Sequence, residues 1–375
     1  DQAEQPGPWR GDRRGGEVSE RLILAVNPGG TSTKAGLFRE DEMLFEENVH
    51  HDTEELAAFP STIDQMQFRK DIVLKTLKGW GHVPGDLTAV VGRGGTFKPL
   101  ESGTYRVNEK LLEDIREGST LQADHPSNLG APIAMAIGSE AGVPAYFVDP
   151  VCVDEMIDEA RYSGHPLLPR KSLSHALNIR MVAYKAAEKL RRPMAELNMV
   201  VMHLGSGVSV NALRRGRMID TNNANDGGPF SSTRTGGLPM TGLMKICLSG
   251  EYTPAQLKTM FLKQGGVYAY LGEEHVGKVK EMADAGNEKA DGVLRGMAYQ
   301  MAKEAGAMAA ALRGEVDAVV ITGGMAYNSW LTDLLGEYIS HLGQILVFPG
   351  EAELEALARG VLRVLDGIED ERTYS

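Results

Sequence analysis

The sequence predicts an α/β protein made of two duplicated domains, and three observations carry that prediction. Two strand–turn–strand units punctuated by glycine, residues 22–38 and 199–213, lie far apart in the chain. Apolar, β-branched runs alternate with helical patterns throughout. The order hairpin plus strand, helix, strand, helix occurs twice, which supports duplication more directly than composition does.

Each element follows from its own residues. Leu22-Ile23-Leu24-Ala25-Val26 is an apolar strand running into Asn27-Pro28-Gly29-Gly30, and Thr31-Ser32-Thr33-Lys34-Ala35-Gly36-Leu37-Phe38 returns as the second strand. Residues 42–49 can supply a third. Ile63, Met66, Ile72, Val73, Leu74 and Leu77 recur near helical spacing and predict an amphipathic helix over 59–78. Ala89-Val90-Val91-Gly92 is a short buried strand ending at Arg93-Gly94-Gly95. A helix is expected over 127–142, capped by Ser127 or Asn128 and stopped by Gly142-Val143-Pro144. Tyr146-Phe147-Val148 is a strand that runs into Asp149-Pro150.

The second half repeats the logic. A helix over 173–191 leads into the hairpin Met199-Val200-Val201-Met202-His203-Leu204-Gly205-Ser206-Gly207-Val208, and a further strand covers 217–220. Helices are expected around 238–248, 254–263 and 286–314. Asp317-Ala318-Val319-Val320-Ile321 is a buried strand ending in Thr322-Gly323-Gly324; residues 344–348 form the last strand and 353–365 the last helix. Gly164-His165-Pro166 and Pro169 interrupt the pattern, so the domain break is expected between 150 and 171. The expected domains are 21–150, joined by the C-terminal helix 354–375, and 151–353, which binds the nucleotide. Residues 1–20 mix Gly, Pro, Arg and acidic residues without an apolar period and are expected to form a disordered tail.

At 375 residues the chain is long enough for two cores, and a 42% hydrophobic, 24% charged composition is that of a soluble globular protein. No apolar run approaches a membrane span, so no membrane association is expected. A net charge of −12 argues against sequence-independent nucleic-acid binding, which needs a basic face. It does not exclude anionic substrates, because local cations and backbone amides set the potential inside a cleft. Cys152 and Cys247 make no disulfide framework; each is expected to be a small buried hydrophobe, and a cytoplasmic setting is the simplest.

The usual nucleotide motifs are missing: Lys34 follows Thr33 rather than Gly, and no dinucleotide fingerprint opens a helix after a strand. Zinc is not expected, because the nine histidines show no i,i+4 pair beside a glutamate, and His50-His51 reads as a solvated strand end. Gly29-Gly30-Thr31-Ser32-Thr33-Lys34 does combine backbone amides, hydroxyls and one cation. In isolation an ordinary hairpin with a polar turn is an even competitor. The twin turn Gly205-Ser206-Gly207 and the strand end Gly323-Gly324 favour phosphate, two turns for the phosphates and one against adenosine. Arg93 and Arg234 lie beside Gly-Gly turns, where a guanidinium can fork a carboxylate or a phosphoryl group. Asp149 can cap a following helix, bind Mg²⁺ or orient a nucleophile, and spacing alone does not separate these.

Taken together, Asn27-Pro28-Gly29-Gly30-Thr31-Ser32-Thr33-Lys34, Ser127-Asn128-Leu129-Gly130-Ala131, Val148-Asp149-Pro150, Asp154-Glu155-Met156, Gly164-His165-Pro166, His175-Ala176-Leu177-Asn178 and Asp226-Gly227-Gly228-Pro229-Phe230 closely resemble the acetate and butyrate kinase family, its butyrate kinases in particular. The resemblance runs from about Arg21 to the C-terminus. It implies two actin-like (ribonuclease H-like) domains with an active-site cleft between them. It also implies a kinase that interconverts a short acyl phosphate plus ADP with the carboxylate plus ATP, using Mg²⁺. Asn27, Ser32 and Lys34 would lie beside the transferring phosphate and its metal. Arg93, Asn128 and Arg234 would hold the carboxylate and the phosphoryl group, with Asp149 near the reaction centre. His175 would donate to the phosphoryl group, His203, Gly205 and Gly207 would line the nucleotide phosphates, and Gly323 and Gly324 would flank adenosine. Glu353 would join the metal through water, with Glu351 and Glu355 as competitors. Gly30 replaces the family's usual Ser, Ser206 replaces an Asn or Gly, and Arg93 stands a few residues later than the Arg of acetate kinases. A homo-oligomer is expected. The rivals are an acetate, propionate or branched-chain acid kinase and, in a different class, a non-enzymatic nucleotide-gated binding protein.

Overall fold

The computed structural model describes residues 20–118 and 124–375. The tail expected over 1–20 therefore lies, apart from Glu20, outside the described residues. Among the described residues twelve strands follow in chain order. They are β1 (Leu22–Pro28), β2 (Ser32–Arg39), β3 (Glu42–His50), β4 (Ala89–Arg93), β5 (Thr104–Arg106), β6 (Ala145–Val148), β7 (Asn198–Leu204), β8 (Val208–Arg214), β9 (Arg217–Thr221), β10 (Ala318–Gly323), β11 (Gln344–Pro349) and β12 (Arg372–Thr373). The chain divides into two compact units, one ending at Val153 and taking back Ala352–Ser375, the other Asp154–Glu351.

The first unit holds a sheet of order β12-β5-β6-β4-β1-β2-β3. β1 and β4 are parallel, in register Val26 with Gly92, and β4 and β6 are parallel, Arg93 with Val148. Helices Gly130–Ala141 and Glu353–Leu365 both pack on β1. A parallel strand covered on both faces must be apolar on both, which is why Ile23, Leu24, Ala25 and Val26 form an unbroken buried run. β3, at the edge, is mostly exposed and polar.

The second unit holds the order β11-β10-β7-β8-β9. This repeats β6-β4-β1-β2-β3 of the first unit, with a hairpin leading each series. Its core joins Val200, Met202, Val319 and Ile321 of the sheet to Leu294, Met297, Met301 and Ala305 of the long helix Glu288–Ala311.

Several elements differ from expectation. The helix expected over 59–78 starts only at Met66, because Pro60 breaks the pattern and a separate short helix, Thr53–Ala57, is capped by Asp52. Ser127 and Asn128 cap nothing. The tight turn Pro126–Leu129 precedes helix Gly130–Ala141, and the His125 ring accepts from the Ser127 amide at 3.2 Å. Asp149 opens no helix either. Cys152 and Cys247 are both free thiols, and Cys247 is exposed rather than buried. His51 is buried, not solvated, with its Nε2 2.8 Å from Thr33 Oγ1. Among the described residues no helix is long and apolar enough to cross a membrane.

Candidate active site

In open α/β sheets, ligands bind beyond the carboxyl ends of parallel strands. In the first unit those ends carry Asn27 on β1, Arg93 on β4 and Asp149 just past β6. Asn27 Nδ2 donates to Glu353 Oε2 at 2.5 Å, and Arg93 Nη1 lies 2.6 Å from Glu353 Oε1 and 3.4 Å from Asn27 Oδ1. Glu353 opens helix Glu353–Leu365, where the N-terminal dipole also favours a carboxylate. Arg93 Nε and Nη2 find no acceptor among the described residues and remain available for a second carboxylate.

Lys34 lies directly opposite Asn27 in the β1–β2 register, so both side chains share one face of the sheet. Its ammonium is 2.7 Å from Glu46 in a half-exposed pair. The Ser32 hydroxyl finds no partner among the described residues. Asn128 is buried, and its Oδ1 accepts from the Thr96 amide at 2.7 Å, which ties the turn after Arg93 to the Pro126–Leu129 turn. Asp149 is buried with a positive φ of 38°, and its Oδ1 accepts from the Gly103 amide at 2.7 Å. Both are therefore set to hold backbone in place beside the strand ends.

In the second unit, β7, β10 and β11 run parallel with Thr322 beside His203 and Gly323 beside Pro349. Gly323 has φ 91°, and a Cβ there would fall 2.4 Å from the Leu204 carbonyl oxygen, so only glycine lets the β10 end approach β7 this closely. His203, 1% exposed, has Nδ1 at 2.8 Å from Asn178 Oδ1. The Asn178 amide nitrogen faces the Gly350 carbonyl at 3.5 Å, which assigns Asn178 Oδ1 as acceptor and places the proton on His203 Nδ1. His203 Nε2 then faces Glu351 Oε1 at 3.1 Å without an aligned hydrogen bond. The His175 ring stacks on His203 with centroids 3.9 Å apart and planes 10° from parallel, and its Nδ1 is 2.8 Å from Ser209 Oγ.

Arg234 sits over the second glycine turn. Ser231 Oγ donates to the Ser206 carbonyl at 2.5 Å and accepts from the Arg234 amide at 3.1 Å, which fixes the loop to the turn. The guanidinium donates to Asn225 Oδ1 at 3.0 Å and meets no carboxylate within ion-pair distance among the described residues. Burial lowers its pKa somewhat from an ordinary arginine value, which leaves it fully charged near neutrality. A partly buried cation with no carboxylate in reach among the described residues, set beside a glycine turn, is built to receive an anion.

These clusters can be compared with known proteins. The chain is 45% identical to butyrate kinase 2 of Clostridium acetobutylicum over 353 residues, covering 94% of this chain and 99% of that one. The chain belongs to the acetate/butyrate kinase family. The profile of the Acetokinase family matches residues 164–346. Two solved structures share the fold. An acetate kinase from Porphyromonas gingivalis has a TM-score of 0.76 at 18% identity, covering 92% of this chain and all (100%) of that one. A propionate kinase from Francisella tularensis has a TM-score of 0.70 at 19% identity, covering 90% and 98%. The fold is thus the actin-like one, and a member of the acetate/butyrate kinase family is an ATP-dependent phosphotransferase with a carboxyl acceptor.

For this kinase the three competing glutamates separate cleanly. Glu353 joins Asn27 and Arg93, Glu351 faces His203, and Glu355 pairs with Arg359 one helical turn on. Sequence reasoning missed Asn178, Ser209 and Asn225, whose polar side chains inside or beside apolar runs were a usable signal. It also missed Arg69, which sits in an amphipathic helix where a charge normally marks the solvated face.

Proposed function

We propose that this kinase interconverts butanoyl phosphate plus ADP with butyrate plus ATP, with Mg²⁺ accompanying the nucleotide. What carries the choice of acid is the 45% identity with butyrate kinase 2 over 94% of the chain. A carboxylate oxygen attacks the terminal phosphorus of ATP; the bond from that phosphorus to the ADP oxygen breaks, and ADP leaves with the electron pair. A carboxylate is already ionised at neutral pH, so no strong general base is required, and catalysis rests on position and on charge stabilisation.

The roles divide between the two clusters. The free Nε and Nη2 of Arg93 support its role as the fork for the acid, with Glu353 and Asn27 holding the guanidinium in place. The uncompensated Arg234 guanidinium supports its role on the equatorial oxygens of the transferring phosphoryl group. His175, fixed by Ser209 and by its stack on His203, would donate to the same group. Gly205, Gly207, Gly323 and Gly324 offer close backbone approach for the nucleotide. Asp149 and Asn128 would act by fixing strand ends, and Lys34 would add a cation on the Asn27 face.

Among the described residues no group of three or more His, Cys, Asp or Glu side chains could hold a metal by itself. That donor set fits an ion carried chiefly by phosphate oxygens and water, with Glu353 and Asn27 as the protein's oxygen acceptors. Bound there, Mg²⁺ would neutralise charge on the phosphates. Helix Met240–Leu248 buries none of its residues and exposes Met240, Met244 and Leu248. A nine-residue helix is marginal alone in water, which supports assembly with a second copy of the chain. A coupled assay for acyl phosphate formation across straight and branched two- to six-carbon acids tests the reading; no transfer to any of them, despite ATP binding, would refute it.

A further inference from the structure

Arg69, in helix Met66–Gly79, is 0% exposed, and every donor it has is turned onto the first glycine loop or the residue that braces it. Nη1 donates to the carbonyls of Gly29 and Ser32, both at 2.9 Å, and to Thr33 Oγ1 at 3.1 Å. Nη2 donates to the Gly30 carbonyl at 3.2 Å, and Nη2 and Nε together grip Gln65 Oε1 at 2.9 and 3.1 Å. The remaining loop carbonyl, that of Thr31, accepts from the His51 amide at 2.9 Å. Three of the four carbonyls of residues 29–32, those of Gly29, Gly30 and Ser32, are therefore held by Arg69 on the inner side of the loop, while that of Thr31 turns to the end of β3.

The opposite side follows from peptide geometry. The amides of Gly30 and Thr31 are on exposed residues and find no acceptor among the described residues. The Ser32 hydroxyl is likewise without a partner there. Adjacent free amides beside a hydroxyl make an anion cradle. Beneath it lies a full positive charge with no carboxylate in ion-pair distance among the described residues. The surrounding network keeps that charge uncompensated: burial first, and then the Arg69 charge, push the His51 pKa down, so His51 stays neutral and can accept the Thr33 hydroxyl proton. Burying an unpaired cation is costly even when its hydrogen bonds are satisfied, and a neutral side chain could fill the same space at lower cost.

We propose that Arg69 is a positioning residue that makes the first glycine loop a receptor for the transferring phosphoryl group, by orienting its amides outward and by supplying the charge beneath them. This rests on the kinase reading above. The group concerned is present in ATP and in butanoyl phosphate and absent from ADP and butyrate, so the four ligands read the role separately.

The test uses the full-length chain with Arg69→Met and Gln65→Glu. Gln65→Glu puts a carboxylate on the same Nε and Nη2 donors, which neutralises Arg69 while leaving its bonds to the loop carbonyls in place. The expected result is a loss of about tenfold or more in affinity for ATP and butanoyl phosphate in both variants, with ADP and butyrate changed by less than about twofold. The melting temperature of Gln65→Glu should be held or raised. If Arg69→Met does not fold, Gln65→Glu decides alone. A purely structural Arg69 would overturn the proposal: Gln65→Glu would then bind all four ligands as the parent does, or any loss would be equal for ATP and ADP. If the parent binds ATP more tightly than ADP, loses that preference in Gln65→Glu, and yet phosphorylates no acid, the kinase reading falls and the role of Arg69 stands. If the parent phosphorylates butyrate and Gln65→Glu is unaltered, only the role of Arg69 falls.

Discussion

A methyl group on Gly207 isolates what the position of Arg234 contributes. A Cβ built there would lie 2.6 Å from Nη1, 2.9 Å from Cζ and 3.3 Å from Nη2 of Arg234. Carbon and nitrogen need about 3.5 Å of separation, so the guanidinium must retreat by roughly 1 Å. Nothing else need move, because the atoms met are the far end of a flexible side chain and φ at 207 lies outside the left-handed region. Alanine there is expected to leave stability unchanged or to raise it by about 0.4–1 kcal/mol, through the unfolded chain. A misplacement of about 1 Å costs on the order of 10²-fold in rate, or roughly 2.7 kcal/mol of barrier. In a coupled assay with saturating ATP and butyrate, Gly207→Ala should therefore lose about two decades of kcat while its melting temperature is held or raised. A kcat within about threefold of the parent, with the protein folded, would show that the guanidinium is not needed where the structure puts it.

Removing the guanidinium in Arg234→Ala should lower kcat by roughly 10³-fold or more while the affinity for ADP changes little, since the charge acts on the transition state; a turnover within tenfold of the parent would count against the assignment. Lys34→Ala should shift stability by less than about 1 kcal/mol, because its pair with Glu46 is half-exposed. If its cation serves the phosphate, the same variant raises the Michaelis constants for ATP and butanoyl phosphate together; unchanged constants would make it an ordinary hairpin lysine. The His51 pKa is depressed in the folded chain, so the stability tied to it is full above the unfolded value near pH 6.5 and is lost as pH falls through the folded value. The urea midpoint should thus fall from about pH 7 to about pH 5, and less steeply in His51→Gln; parallel curves for the two proteins would contradict this.

Much of the architecture was legible because the informative residues sit where local pattern and global packing agree. β10 is apolar from Ala318 to Ile321 and ends in Thr322-Gly323, and helix Glu353–Leu365 carries both a clear period and an acidic first turn. The short strands β5 and β12, the last two on one side of the first sheet, were not legible: three and two residues show no alternation, and their pairing joins Tyr105 to Arg372 across most of the chain. Helix Ser329–Ile339 is not among the elements expected from the sequence, although Leu331, Leu334, Leu335 and Ile339 recur at helical spacing, so that signal was present. In the site, glycine turns and strand-end arginines announced themselves by neighbouring residues. Arg69 did not, because only the folded chain turns a charged helix residue inward under a loop far earlier in the chain, as its bond to the Gly29 carbonyl does across a separation of 40 positions.

Phosphoryl transfer to a short carboxylate, with butyrate proposed as the preferred acid, shows as a difference in turnover between acids. The most direct measurement is kcat/KM for acetate, propionate, butyrate, valerate and the branched four- and five-carbon acids, with ATP and Mg²⁺, in one coupled assay. Each methylene buried in an apolar pocket gains about 0.8 kcal/mol, so butyrate is expected to exceed acetate by on the order of tenfold. A clear preference for acetate would contradict the butyrate assignment, and turnover with none of these acids would contradict the kinase itself.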